Sequence, residues 1–255
     1  MSQIRTEHGS HHLQLGHMWT HASRTMMLGE LSLLMDAAPE SASLEDYRTA
    51  VLEDNVILKN SAANRAKSFK HLRELYVLNA GDPVFGALRM LWHAEPEARP
   101  LLALLAAATR DELLRSTAET VLAAPEGEAV TAATLSPVLA EAFPDRMSAK
   151  TLKSVAQNAA SSWTQSGHLT GKIRKVRARA AATAGSAVFA LFAAHLLGAR
   201  GLQMYETLWA RLLDVPEHEL DALAFAASQR GWMEYRRMGD VAEFGFSWLE
   251  SSDRG

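Results

Sequence analysis

The stretch RMSAKTLKSVAQNAASSWTQSGHLTGKIRKVRAR, residues 146–179, joins two kinds of local signal. Ser148 is placed to cap a helix over AKTLKSVAQNAASSWTQS, and Gly167 to stop it in the left-handed conformation that closes many helices. Beyond the glycine, HLTGKIRKVRAR reads as a short ribbon with Thr170-Gly171 as its turn. A helix, a glycine stop and a short ribbon are how a winged helix-turn-helix ends. The same order returns near the C-terminal end of the sequence. There a helix over 217–229, with Pro216 fitting its first turn, precedes GWMEYRRMGDVAEFGFSWL, where Gly239-Asp240 separates two runs rich in Trp, Tyr, Val and Phe.

Elsewhere apolar residues recur at three- and four-residue spacing and strand-like alternation is scarce. The first helix is predicted over 20–36, on the stripe Met26, Met27, Leu31, Leu34 and Met35. Ser43, with Asp46 three residues on, caps a second over SLEDYRTAVLEDNVIL. Ser61 caps a third over AANRAKSFKHLRELYVLN, about 62–78, making a helix-turn-helix-like pair. NAGDP, 79–83, breaks the chain. Helices follow at 84–94, 97–108, 110–123, 131–142, 181–198 and 202–213. The fold class is therefore mainly α: a multi-helix protein with helix-turn-helix and winged-helix-like parts and one or two short β-hairpins. Three parts are expected: an N-terminal helical part (1–80), a central part ending in the basic ribbon (81–179), and C-terminal helices with a winged-helix-like hairpin (180–255).

Of the 255 residues, 48% are hydrophobic and 22% charged, as in ordinary globular chains, and none is cysteine. Disulfides, thiolate metal sites and cysteine nucleophiles are thereby excluded. MSQIRTEHGSHHLQLGHM lacks the apolar core of a secretory signal, and a cytoplasmic location is expected. One run, AAATAGSAVFALFAAHLLGA (180–199), has the length and lack of charge to cross a bilayer. Nine of its twenty residues are alanine, a weak driver of insertion, so the run reads as a buried central helix and no membrane partner is expected.

Charge carries the functional signal. The chain is mildly acidic, net −3, yet residues 146–179 hold eight Lys or Arg and no Asp or Glu. The remainder then has 18 basic against 29 acidic residues, net −11. Like charges this dense repel one another without a partner, and a polyanion is the natural one. Candidate phosphate contacts here are Lys150, Lys153, Lys172, Arg174, Lys175, Arg177 and Arg179. A second acid-free cluster lies between Asn55 and Arg73 and adds Lys59, Arg65, Lys67, Lys70 and Arg73. Arg65, Lys70 and Arg73 fall opposite the Phe69/Leu72 stripe and should reach solvent together. The alternative is that these are solvated helix faces answered by acidic patches elsewhere. Arg236 and Arg237 are placed either to act as a second wing or as ordinary surface charges.

Other chemistry finds little footing. His8, His11, His12, His17 and His21 fall within fourteen residues, but no zincin spacing accompanies them; they are expected to be disordered or merely polar, with no metal and no cofactor. The six tryptophans read mainly as core, with Trp163 a lesser candidate for stacking on a base. No GxSxG, P-loop or GxGxxG is present, and a non-enzyme is expected.

The blocks EDYRTAVLEDNVILKNSAANRAKSFKHLRELY, SSWTQSGHL ahead of the basic ribbon, and QRGWMEYRRMGDVAEFGF together resemble the BrxA-type accessory proteins of bacterial BREX phage-exclusion systems. They cover about a third of the chain in order, and the middle, 84–143, is similar only in being helical. The resemblance implies an all-helical, non-enzymatic DNA-binding protein with winged-helix-like parts, working beside methyltransferase and ATPase partners. It carries DNA contact onto Lys59, Arg65 and Lys70 in the first block and Lys172, Arg174, Lys175 and Arg177 in the ribbon. The expectation is a sequence-tolerant binder of double-stranded DNA. A helical scaffold recruiting proteins, or an RNA-binding module, are the alternatives.

Overall fold

A computed structural model describes residues 13–39 and 41–247. The chain is mainly α-helical with two small antiparallel ribbons. The N-terminal part holds α1 (Leu28–Ala37), α2 (Leu44–Leu52) and α3 (Ala62–Tyr76). The middle holds α4 (Pro83–Ala94), α5 (Arg99–Arg110), α6 (Glu112–Ser116) and α7 (Ala118–Ala123). Then come α8 (Ala132–Ala142), α9 (Ala149–Gln165), β1 (Leu169–Thr170) and β2 (Val176–Arg177). The chain continues through α10 (Ala184–Leu196), α11 (Leu208–Arg211) and α12 (Glu217–Gln229) to β3 (Glu234–Met238) and β4 (Val241–Gly245).

Caps fix most of the helix starts. Ser43 and Asp46 form the reciprocal capping box expected for α2, and the Ser61, Asp82 and Ser148 side chains cap α3, α4 and α9. Some boundaries differ from the sequence reading. The helix expected over 20–36 is two pieces, a 3-10 turn at Thr20–Ala22 and then α1, because Met27 adopts left-handed backbone between them. α2 stops at Leu52, and Asn55 and Leu58, both with positive φ, turn the chain toward α3. The segment 110–123 divides into α6 and α7, and 202–213 into a 3-10 turn and the short α11.

α10 lies at the centre. Twelve of its thirteen residues are buried, and it packs against α4, α5, α11 and α12. Its alanines let neighbouring backbones approach closely, which is why a charge-free run can serve as the hub of a helical core. Among the described residues no helix is long and apolar enough to cross a membrane. Apolar side chains from Met26 to Phe246 form one contiguous core.

Two winged-helix arrangements follow one another. In the first, α7, α8 and α9 precede β1 and β2, and residues 127–130 run beside β2 as a third extended segment. There Ala129 bridges Val176, while the Val130 and Gly127 N–H groups donate to the Lys175 and Arg177 carbonyls. In the second, α10, α11 and α12 precede the β3–β4 hairpin, whose turn at Gly239-Asp240 is the one expected. The first ribbon departs from expectation. Its connection is a five-residue loop, 171–175, rather than a two-residue turn at Thr170-Gly171. Gly171 has φ +98°, and a Cβ there would lie 2.2 Å from the Arg174 carbonyl oxygen, so the loop folds tightly back on itself.

Candidate nucleic-acid interface

On α9 the exposed Lys150, Lys153 and Gln157 and the half-buried Ser161 and Thr164 are spaced three or four apart and hence share one face. The whole helix contains no carboxylate. The opposite face is core: Val155, Ala156, Ala159, Ala160 and Trp163 are buried against α8 and the middle helices. The two lysines occupy the first turns, where the helix dipole is positive and acidic residues are normally favoured. Cations there cost stability. That cost makes sense where the helix start and its free N–H groups meet an anion.

The wing continues this face. Lys175 Nζ donates to Thr164 Oγ1 at 2.9 Å, fastening the loop to the last turn of α9. Partial burial lowers its pKa. Lys172, Ile173 and Arg174 stand out beyond it, all exposed. Lys150, Lys153, Lys172 and Arg174 form no ion pair among the described residues. Between Lys150 and Thr164 the helix rises about 21 Å, so the free cations sit at the two ends of one face, joined by neutral polar side chains.

Not every candidate belongs to it. Arg177 is only 5% exposed, and its guanidinium binds both carboxylate oxygens of Asp214, at 2.6 and 2.9 Å. It cannot reach a phosphate, and its assignment as a DNA contact is corrected: it is the anchor of β2. Arg179 lies at the surface 3.3 Å from Glu126, at the foot of the wing. Arg146, the first cation of the run, stacks on the Trp19 ring, its guanidinium carbon 4.3 Å from the ring centroid. Trp163 is buried and donates from Nε1 to Thr117, so it is not available for stacking on a base.

The cluster on α3 is largely answered locally. Lys59 Nζ is 2.7 Å from Glu30, and the Arg65 Nε–H donates to the Leu52 carbonyl at the end of α2. Arg65 is half-buried, so it reaches solvent less than Lys70 and Arg73, which are exposed. Lys70 is 3.7 Å from Glu74. Lys67 and Arg73 are exposed and make no ion pair among the described residues. The 3-10 turn at Thr20–Ala22 packs between α3 and α9 and separates the two clusters.

That turn carries a constellation the sequence did not disclose. His21 Nε2 lies 2.8 Å from Ser162 Oγ, and its Nδ1 lies 3.1 Å from Asp111 Oδ2. The order Ser, His, Asp is that of a hydrolytic triad, but all three are buried. Ser162 Oγ also accepts from the Met26 N–H, and Asp111 from the His21 N–H. These bonds fasten residues 20–26 onto α9 and α6. His21 is thus a core residue, not a merely polar one, and exposed His17 bonds Glu112 at 2.8 Å. His8, His11 and His12 lie outside the described residues, as does Trp248. No group that could hold a metal occurs among the described residues.

Compared with known proteins, no family model matches this chain and no curated sequence does either. Its two winged units can still be compared with each other. The exposed positions of α12 include Glu217 and Glu219, Asp221 is half-buried, and the helix has no Lys or Arg. Arg237 of β3 is bound to Asp221 at 2.6 Å and to Glu217 at 3.0 Å. The second unit thus pairs two of its helix carboxylates with an arginine of its own hairpin, where the first leaves its lysines unpaired.

Proposed function

We propose that the chain is a non-enzymatic binder of duplex DNA that holds the phosphate backbone through α9 and the 171–175 loop, with little dependence on sequence. One observation carries this reading. The acid-free exposed face of α9 runs from two unpaired lysines at a helix start to a wing bearing Lys172 and Arg174. Helix-plus-wing is a geometry that suits a groove and its flanking phosphates. Lys67, Lys70 and Arg73 on α3 are secondary contacts at most. The resemblance to BrxA-type proteins favours a role in phage defence beside a methyltransferase and an ATPase.

The test is a salt titration of the full chain with random-sequence duplex DNA, followed by anisotropy, with RNA of the same length alongside. Binding at low salt that weakens linearly in log[salt] is expected, duplex DNA being preferred. Absence of binding at low salt would refute the reading.

A second role, as an adaptor for proteins, is favoured by the other winged unit. Phe225, Met238 and Val241 are 57%, 85% and 65% exposed there, on a surface whose helix is acidic. Such a surface would repel a nucleic acid and suits a protein partner.

A further inference from the structure

The wing tip carries one residue that phosphate binding does not use. Ile173 is 99% exposed, and its neighbours on either side are the unpaired, exposed Lys172 and Arg174. An isoleucine wholly in water forgoes the stabilisation that burying its side chain would give. The tip is also well braced. Gly171 closes the loop against the Arg174 carbonyl, Lys175 is tied to Thr164, and Arg177 roots the return strand on Asp214. A β-branched side chain on a braced loop has few conformations left to lose on contact.

The chemistry that fits this tip is anionic on both flanks and apolar between them. A base-pair step in the minor groove, with a phosphate strand on each side, has that character. Apolar wedges set among cations enter such steps, unstack them and bend the duplex. An anionic lipid surface shares the two charges but fits the rest less well. The outer face of α9 beside the wing is the exposed Gln157 with the half-buried Ser161 and Thr164, and has nothing apolar to sink into acyl chains.

Resting on the DNA-binding reading above, we propose that the wing enters the minor groove and that Ile173 wedges between adjacent base pairs, bending the DNA around the first winged unit. Lys172 and Arg174 hold the two phosphate strands on either side. α9 lies in the neighbouring major groove, with Lys150 and Lys153 toward its far edge.

The experiment uses the full chain and a short duplex with a central TA step. Donor and acceptor dyes at its ends report bending, and 2-aminopurine beside the step reports unstacking. The wild type should shorten the end-to-end distance and raise the 2-aminopurine emission. Ile173→Ala should keep its thermal stability, since the side chain touches no core, and keep its salt slope. It should bind at most about tenfold more weakly while losing the bend and the emission rise. Lys172→Ala/Arg174→Ala should instead lower the salt slope. Wild-type binding without bending or unstacking, or an Ile173→Ala variant that bends DNA as well as the wild type, would overturn the wedge and leave the DNA-binding reading standing. No binding to duplex at low salt would remove both. Ile173-dependent binding to phosphatidylserine vesicles, with no unstacking of DNA, would also overturn it.

Discussion

Arg177 holds Asp214 with both arms of its guanidinium, across 37 positions of sequence, and so ties the return strand of the first wing to the segment between α11 and α12. The Ala180 N–H also donates to Asp214, at 3.2 Å. A cation counted from sequence among phosphate-binding candidates is instead the joint between the two winged units.

Removing one partner of a buried pair strands the other's charge. Asp214→Ala should therefore destabilise the protein by about 3–5 kcal/mol, measured by chemical denaturation, whether or not DNA is present. Replacing both, Arg177→Met with Asp214→Leu, should recover most of that loss.

The lysines at the start of α9 oppose the helix dipole. Lys150→Glu should raise stability by roughly a few tenths of a kcal/mol, and the melting temperature slightly with it, while weakening duplex binding. A variant at once more stable and a poorer binder would mark Lys150 as placed for a ligand. Loss of both properties together would mean that the lysine supports the fold.

The cations of the wing loop should count individually. Lys172→Ala/Arg174→Ala removes two phosphate contacts and should flatten the log–log salt dependence by about 1.8, at about 0.9 per contact. The change should be alike for unrelated sequences. Arg177 is left intact in this variant so that any loss reports on contact, not on unfolding.

His168 makes stability depend on acid. Burial pushes its pKa down to about 4, the neighbouring Arg177 adding to the effect and Asp214 opposing it. The ring donates from Nε2 to the Leu212 carbonyl at 3.0 Å, and Nδ1, 2.8 Å from Ser166 Oγ, can accept from the hydroxyl. The unfolded chain takes up this proton near pH 6.5, the folded one only near 4. Between those values the unfolded state holds more protons, so stability is full above about 6.5 and falls as pH drops, by about 3 kcal/mol at the lower end. His168→Asn should cost stability at pH 7.5, and its deficit against wild type should narrow steadily from pH 6.5 to 4 in denaturant melts.

What could be read in advance was local. The Ser148 cap and the Gly167 stop marked α9, and the Gly239-Asp240 turn marked the last hairpin, because each signal and its effect lie within a few residues. The break at Met27 was not marked in the sequence, since an ordinary residue takes the left-handed backbone there while the nearby Gly29 does not. The charge runs were legible as runs, but their answers were not. Glu30 lies 29 positions from Lys59 and Asp214 lies 37 from Arg177, and only folding brings them together. Lys150, Lys153, Lys172 and Arg174 make no ion pair with any described carboxylate. His21 offered no signal of its burial, because its partners Asp111 and Ser162 lie 90 and 141 positions away.

The opposed charges of the two winged units reach beyond their own surfaces. From residue 180 to 247 eight carboxylates stand against five Lys and Arg, while the wing before them is the most cationic part of the chain. A molecule divided in this way carries an electrical polarity, and near a long rod of negative charge it experiences a torque before any atom touches. On the DNA-binding reading proposed above the chain would arrive wing first, so orientation is selected in the approach itself, and added salt should slow that approach as well as loosen the grip.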